Sequence, residues 1–109
     1  MNFLDDFSLC KAFPNYYAGV LCTTKKDFRK QKRYYESIAI SYDVIIIISS
    51  KEIRIFFANG STLVISYYNN STRGHRYNCI TYSDTINKSE LLPLLVEYNG
   101  MKPVLLEFK

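Results

Sequence analysis

Six of the nine residues from Lys25 to Arg33 are basic: Lys25, Lys26, Arg29, Lys30, Lys32 and Arg33. Phe28 interrupts them, and Tyr34 and Tyr35 follow. On a helix, Lys26, Arg29, Lys30 and Arg33 fall at i, i+3, i+4 and i+7 and so share one stripe. Cations at that spacing suit a phosphate backbone, because each one displaces a condensed counterion; they also suit an acidic protein surface. The ordinary alternative is a solvated helix face with no partner. A second basic group, Arg73, His75 and Arg76 around Gly74, falls in a polar loop that would extend the same surface. Together these residues make the candidate nucleic-acid or acidic-partner site.

Other chemistries find less to work with. His75 is the sole histidine, and no second titrating group marks itself as its partner in a nucleophilic assembly. The four glycines, at 19, 60, 74 and 100, nowhere approach the GxxxxGK[ST] pattern of a phosphate cradle. Cys10, Cys22 and Cys79 are odd in number and form no CxxC pair. They read as buried free thiols in a reducing compartment, not as a disulfide framework or a zinc site. No catalytic residue, metal or cofactor is assigned, and binding is expected in preference to catalysis.

The elements that must position these residues follow from pattern. With 109 residues, the chain is expected to form one domain over 1–109 with a real core. Ten Tyr, seven Phe and no Trp suit half-buried sheet faces and binding surfaces alike. Residues 2–12 predict a short helix with Phe3, Leu4, Phe7 and Cys10 on one face, stopped before Pro14. Tyr16–Cys22 predicts a buried strand. Thr24, with Asp27 three residues on, imitates a capping box, so a helix is expected to about Ala39 with Phe28, Tyr35, Ile38 and Ala39 inward.

Tyr42–Ile48, Glu52–Ala58 and Ser61–Tyr68 predict three strands. Asn59-Gly60 joins the last two as a tight turn in which both residues take positive φ. The run Ile45–Ile48 lacks alternation, so that strand is expected to be covered on both faces. A loop at Asn69–Gly74 leads to a strand at Tyr77–Tyr82. Ser89 is expected to cap a helix whose apolar face is Leu91, Leu92, Leu94, Leu95 and Tyr98. Asn99-Gly100 would end that helix in the left-handed way, before a last strand at Val104–Phe108. The fold class is therefore α/β or α+β: a small mixed β-sheet with a central three-stranded antiparallel meander and two to three flanking helices.

The segments Glu52–Ser61, Ser71-Thr72-Arg73-Gly74 and Tyr77–Asp84 resemble the ATPase core of the phage terminase large subunit. That family has a strand ending in Asn-Gly-Ser, a second strand, an Arg-Gly pair, and a hydrophobic strand ending in an acidic pair. Val20-Leu21-Cys22-Thr23-Thr24 is similar to the strand before the family's inter-strand helix. The resemblance covers about residues 20–86. It implies a terminase-like chain that departs at two points: no phosphate-binding loop precedes Val20, and Asp84 stands alone where the family has two acids. A metal-linked phosphoryl transfer then has nothing to act on.

Three functional expectations follow. The first is a small non-catalytic phage- or mobile-element-type protein that binds a macromolecular partner, inhibiting or regulating a host protein. The second is nucleic-acid binding through the 25–33 helix. The third is an accessory or degenerate DNA-packaging ATPase-like subunit in which Asp84 holds magnesium. Acidic residues near the N-terminus, where a secretory signal carries bases, point to a cytoplasmic protein. The apolar stretch at 43–48 falls far below the ~20 residues a bilayer needs, so no membrane contact is expected. A protein partner is expected, and exposed sheet edges would also permit a homodimer.

Overall fold

Asp5 accepts the Ser8 N–H through its carboxylate at 2.7 Å, and this N-cap opens helix α1, Asp6–Ala12. The computed structural model describes residues 5–69 and 75–108, so Phe3 and Leu4 lie outside it. Strand β1, Tyr17–Cys22, follows. Thr24 then caps helix α2, Lys25–Ala39, as its sequence predicts: its hydroxyl accepts the Asp27 N–H at 3.1 Å. Strands β2 (Val44–Ile48), β3 (Glu52–Phe57) and β4 (Thr62–Tyr67) form the antiparallel meander. Strand β5 is Cys79–Tyr82, and β6 is Val104–Glu107.

All six strands form one sheet in the order β2-β3-β4-β1-β5-β6. β1 pairs in parallel with both β4 and β5, and β5 pairs in parallel with β6. The carboxyl ends of β1, β2, β4, β5 and β6 therefore share one rim. Helices α1 and α2 cover one face, burying Phe7, Cys10, Phe28 and Tyr35 against Val20, Ile55 and Ile65. On the far face Leu91 and Leu94 pack with Leu21, Ile80 and Tyr82. This is the mixed sheet with flanking helices that the pattern predicts. Among the described residues no helix is long and apolar enough to cross a membrane.

Three local expectations are corrected. The strand covered on both faces is β1, buried from Ala18 to Cys22, and not β2. β2 is an edge strand, with Ile45 66% and Ile47 55% exposed. Val44 and Ile46 turn onto the helical core. The opposite side of β2 is bare because the far-face cover packs on β1 and β5. An apolar run records what a strand tolerates on each face; its neighbours decide what covers it.

The second correction concerns the C-terminal helix. Asn87, not Ser89, is the N-cap, accepting the Ser89 N–H at 3.1 Å. Helix α3 is only Lys88–Leu91, and Leu92–Leu94 continues it as a 3-10 turn. Pro93 offers no N–H to sustain an α-helix there. Leu91 and Leu94 are buried, whereas Leu92 is exposed.

Third, the two Asn-Gly pairs exchange roles. At Asn59-Gly60 the positive φ belongs to Gly60 alone, at 90°. Gly60 N–H bonds Phe57 C=O, and Phe57 N–H bonds Ser61 C=O, which describes a three-residue loop with a glycine bulge. At Asn99-Gly100 both residues are left-handed, φ 47° and 83°. Tyr98 and Met101 exchange backbone hydrogen bonds around them. That pair makes a tight hairpin turn and does not end a helix.

The side chains of Asn59 and Ser61 explain the first exchange. Asn59 Nδ2 donates to Cys10 C=O at 2.8 Å, capping the last turn of α1. Its Oδ1 accepts the Ser61 N–H. Ser61 Oγ donates to Phe13 C=O at 2.6 Å and accepts the Tyr16 N–H at 2.9 Å. The Asn-Gly-Ser turn thus ties the meander to the α1–β1 connection.

Candidate nucleic-acid interface

Helix α2 buries Phe28, Gln31, Tyr35 and Ala39, the i, i+3, i+7, i+11 stripe of an amphipathic helix. Lys25, Lys26, Arg29, Lys30 and Arg33 are consequently exposed, with Lys32 half-buried. Among the described residues, Lys25, Lys26, Arg29, Lys32 and Arg33 have no carboxylate within ion-pairing distance. A charged face left unneutralised by its own protein retains its attraction for a polyanion.

Two depressions follow this face. One, of about 280 Å³, lies at the strand-end rim between α2 and the turn after β2. Lys25, Arg29 and Lys32 flank it, Ser50 offers a hydroxyl, and Phe28 and Tyr67 line it, while the Ser49 hydroxyl is spent on its own turn, donating to Glu52 C=O at 3.1 Å. Those two rings stack on each other, centroids 4.9 Å apart and 14° from parallel. The other, of about 320 Å³, runs along Lys26, Arg29, Lys30 and Arg33. The first combines cations, a hydroxyl donor and an aromatic lining, the elements from which nucleic-acid surfaces are built.

The second basic group does not join this surface. His75 lies beside Tyr77, ring centroids 6.2 Å apart, and Tyr77 packs in the far-face cluster with Leu91 and Leu94. Arg76 bonds the His75 carbonyl at 3.3 Å. Phe28 and Tyr35, which anchor α2, belong to the opposite face. His75 therefore lies on the face of the sheet opposite Lys25–Arg33. Arg73 lies outside the described residues. Gln31, Ser49, Ser50 and Tyr67 were not singled out by sequence, since Ser49, Ser50 and Tyr67 meet α2 only through the sheet.

A polar cluster occupies the same rim between β1 and β5. Thr23 and Thr85 hydroxyls lie 2.7 Å apart, Ser83 and Thr85 hydroxyls 2.8 Å apart, and Ser83 donates to Asp27 at 3.4 Å. The chain leaving β1 passes into α2 on one face, and that leaving β5 passes into α3 on the other. Divergence of this kind opens a crevice at the strand ends. Asp84 is exposed in the turn directly after β5. Among the described residues no group of three or more His, Cys, Asp or Glu could hold a metal.

The cysteines are free and buried. Burial pushes the Cys22 thiol up to about 12, and pushes Cys10 and Cys79 higher still, with Asp6 adding to both. Burial and the raised pKa both disfavour the reactive thiolate.

The fold is similar to part of the large terminase of the thermophilic bacteriophage D6E. In one crystal form the TM-score is 0.62 at 11% identity, over 90% of this chain and 27% of that one. In its complex with ADP the TM-score is 0.61, again at 11% identity and with the same coverage. The chain thus spans about a quarter of the terminase's length, and the likeness is one of fold. No family model and no curated protein matches the sequence.

Proposed function

From that shared fold we propose that the chain is a non-catalytic, phage-type module that binds a macromolecular partner through the outward face of α2, with nucleic acid as the partner. The observation that carries this reading is the basic face of α2, continuous with a groove lined by Phe28 and Tyr67. Lysines and arginines along the helix contact phosphates, and Ser50 donates a hydrogen bond beside them; the Ser49 hydroxyl is already committed to Glu52 C=O. Such contacts fix position on a strand without reading sequence.

Fluorescence anisotropy with single- and double-stranded DNA over a salt series tests it. Replacing Lys26, Arg29, Lys30 and Arg33 together with Ala is expected to weaken binding at low salt. The slope of log K against log salt should become shallower by about 3–4, since each lost phosphate contact removes ~0.9. Equal affinity in the two proteins sinks the proposal. Affinity capture with and without nuclease separates nucleic acid from an acidic host protein, which the module would then inhibit or regulate.

A second reading is an ATPase-like subunit, favoured by Asp84 at the carboxyl rim of a parallel strand pair and by the ADP held by the D6E terminase. It expects magnesium-ATP to raise the melting temperature, and Asp84→Asn to abolish the rise. No protection by magnesium-ATP removes this reading.

A further inference from the structure

Strand β2 ends the sheet, and among the described residues nothing pairs with its outer side and none of the usual edge protections is present. Val44–Ile48 reads Val-Ile-Ile-Ile-Ile, without a proline, glycine or charge. A flat apolar edge of that composition is a template for another strand.

The register shows which groups it offers. Ser49 N–H donates to Glu52 C=O at 2.9 Å, which makes that pair hydrogen-bonded. Bonded and non-bonded pairs alternate along an antiparallel ladder, so Ile45 and Ile47 bond inward to β3. Val44, Ile46 and Ile48 consequently aim their N–H and C=O groups outward. The Val44 N–H is already taken by Tyr42 C=O at 3.0 Å. The open edge therefore offers Ile46 and Ile48 complete, and the Val44 carbonyl.

We propose that a second copy of this chain pairs antiparallel with β2 about a twofold axis at Ile46. In this register Ile46 exchanges two hydrogen bonds with its own equivalent. Ile48 N–H of each copy reaches Val44 C=O of the other. The Val44 N–H stays with Tyr42 C=O, so the Ile48 C=O at each end of the new ladder is left to solvent. Ile45 lies opposite Ile47 of the second copy, twice, on the bare face, so the two most exposed side chains of β2 cover one another.

Charge favours the same direction. β2 is preceded by Asp43 and followed, past two serines, by Lys51. Antiparallel pairing brings the acid end of one copy towards the basic end of the other, whereas parallel pairing sets like against like. The product is a twelve-stranded sheet with both α2 helices on one face. This inference is independent of any bound nucleic acid.

Sedimentation velocity over a concentration series, on nuclease-treated protein, tests it. The protein is expected to be a dimer at tens of micromolar. The double substitution Ile45→Lys/Ile47→Lys should raise the dissociation constant by about 100-fold or more, since four exposed isoleucines lose their cover and lysines face one another. As a check independent of that variant's folding, Ile45→Cys and Ile47→Cys proteins are oxidised separately and mixed. A non-bonded antiparallel pair sets Cα atoms ~4.5 Å apart, within disulfide reach. Only the mixture should cross-link rapidly. Monomer at every concentration, a dimer indifferent to the folded lysine variant, or cross-linking no faster in the mixture would each overturn the proposal.

Discussion

At the residue scale, Gly19 and Tyr77 constrain each other. A Cβ placed on Gly19 would lie 2.5 Å from Tyr77 Cε1 and 2.7 Å from its Cδ1. The ring cannot swing aside easily, because Tyr17 stacks on it with centroids 5.2 Å apart at 12°. Gly19 is thus required for space, not for an unusual φ. Gly19→Ala is expected to cost ~1–3 kcal/mol as overpacking, lowering Tm by roughly 5–15 °C. Thermal denaturation followed by circular dichroism checks this, and an unchanged Tm would mean that the ring relaxes freely. The sequence shows a glycine inside an apolar strand, which suggests close approach. It cannot show that the approaching group is Tyr77, which is 58 positions away and brought over β1 by the bridge to Leu95.

At the element scale, α2 is the part most legible beforehand. Its cap, its bounds and its inward residues Phe28, Tyr35 and Ala39 all follow from spacing, because a helix satisfies its backbone locally. Thr24→Ala removes the acceptor for the Asp27 N–H and should cost ~1 kcal/mol, whereas Thr24→Ser retains it. Chemical denaturation of the two variants compares them, and equal losses would place the effect outside the cap. The misplaced turns had the opposite cause. Asn59-Gly60 and Asn99-Gly100 are the same dipeptide, and their conformations differ because Asn59 is held by the end of α1. A local rule cannot see a partner 49 residues back.

At the scale of the whole molecule, Asp6 joins three elements. Its carboxylate accepts from Phe7 N–H at 2.7 Å, Tyr35 Oη at 2.5 Å and Thr81 Oγ1 at 2.6 Å, linking α1 to α2 and β5 at one buried point. Burial raises its pKa above the ordinary carboxylate value of 3.8, against the opposing pull of those hydrogen bonds. The folded state then binds this proton more tightly than the unfolded chain does. Its stabilising share is complete below about pH 4 and is lost as pH rises through the folded pKa. Asp6→Asn has no proton to lose there. The stability of the native protein relative to Asp6→Asn is therefore expected to fall from pH 4 to pH 8, measured by urea denaturation at each pH. A constant difference would mean that Asp6 titrates normally.

What the sequence determined by itself is whatever closes within a few residues: the cap and periodicity of α2, the basic stripe from Lys26 to Arg33, the strand segments and the mixed sheet they imply. Hydrogen bonds between near neighbours and side chains three or four apart encode these features without reference to the rest of the chain. Tertiary structure decided what depends on distant partners. It set β1 at the centre and β2 at the edge, divided His75 from α2 by the sheet, and lined the α2 groove with Ser49, Ser50 and Tyr67. Strand order follows from how helices on two faces share the burial of one sheet, and no window of sequence holds that balance.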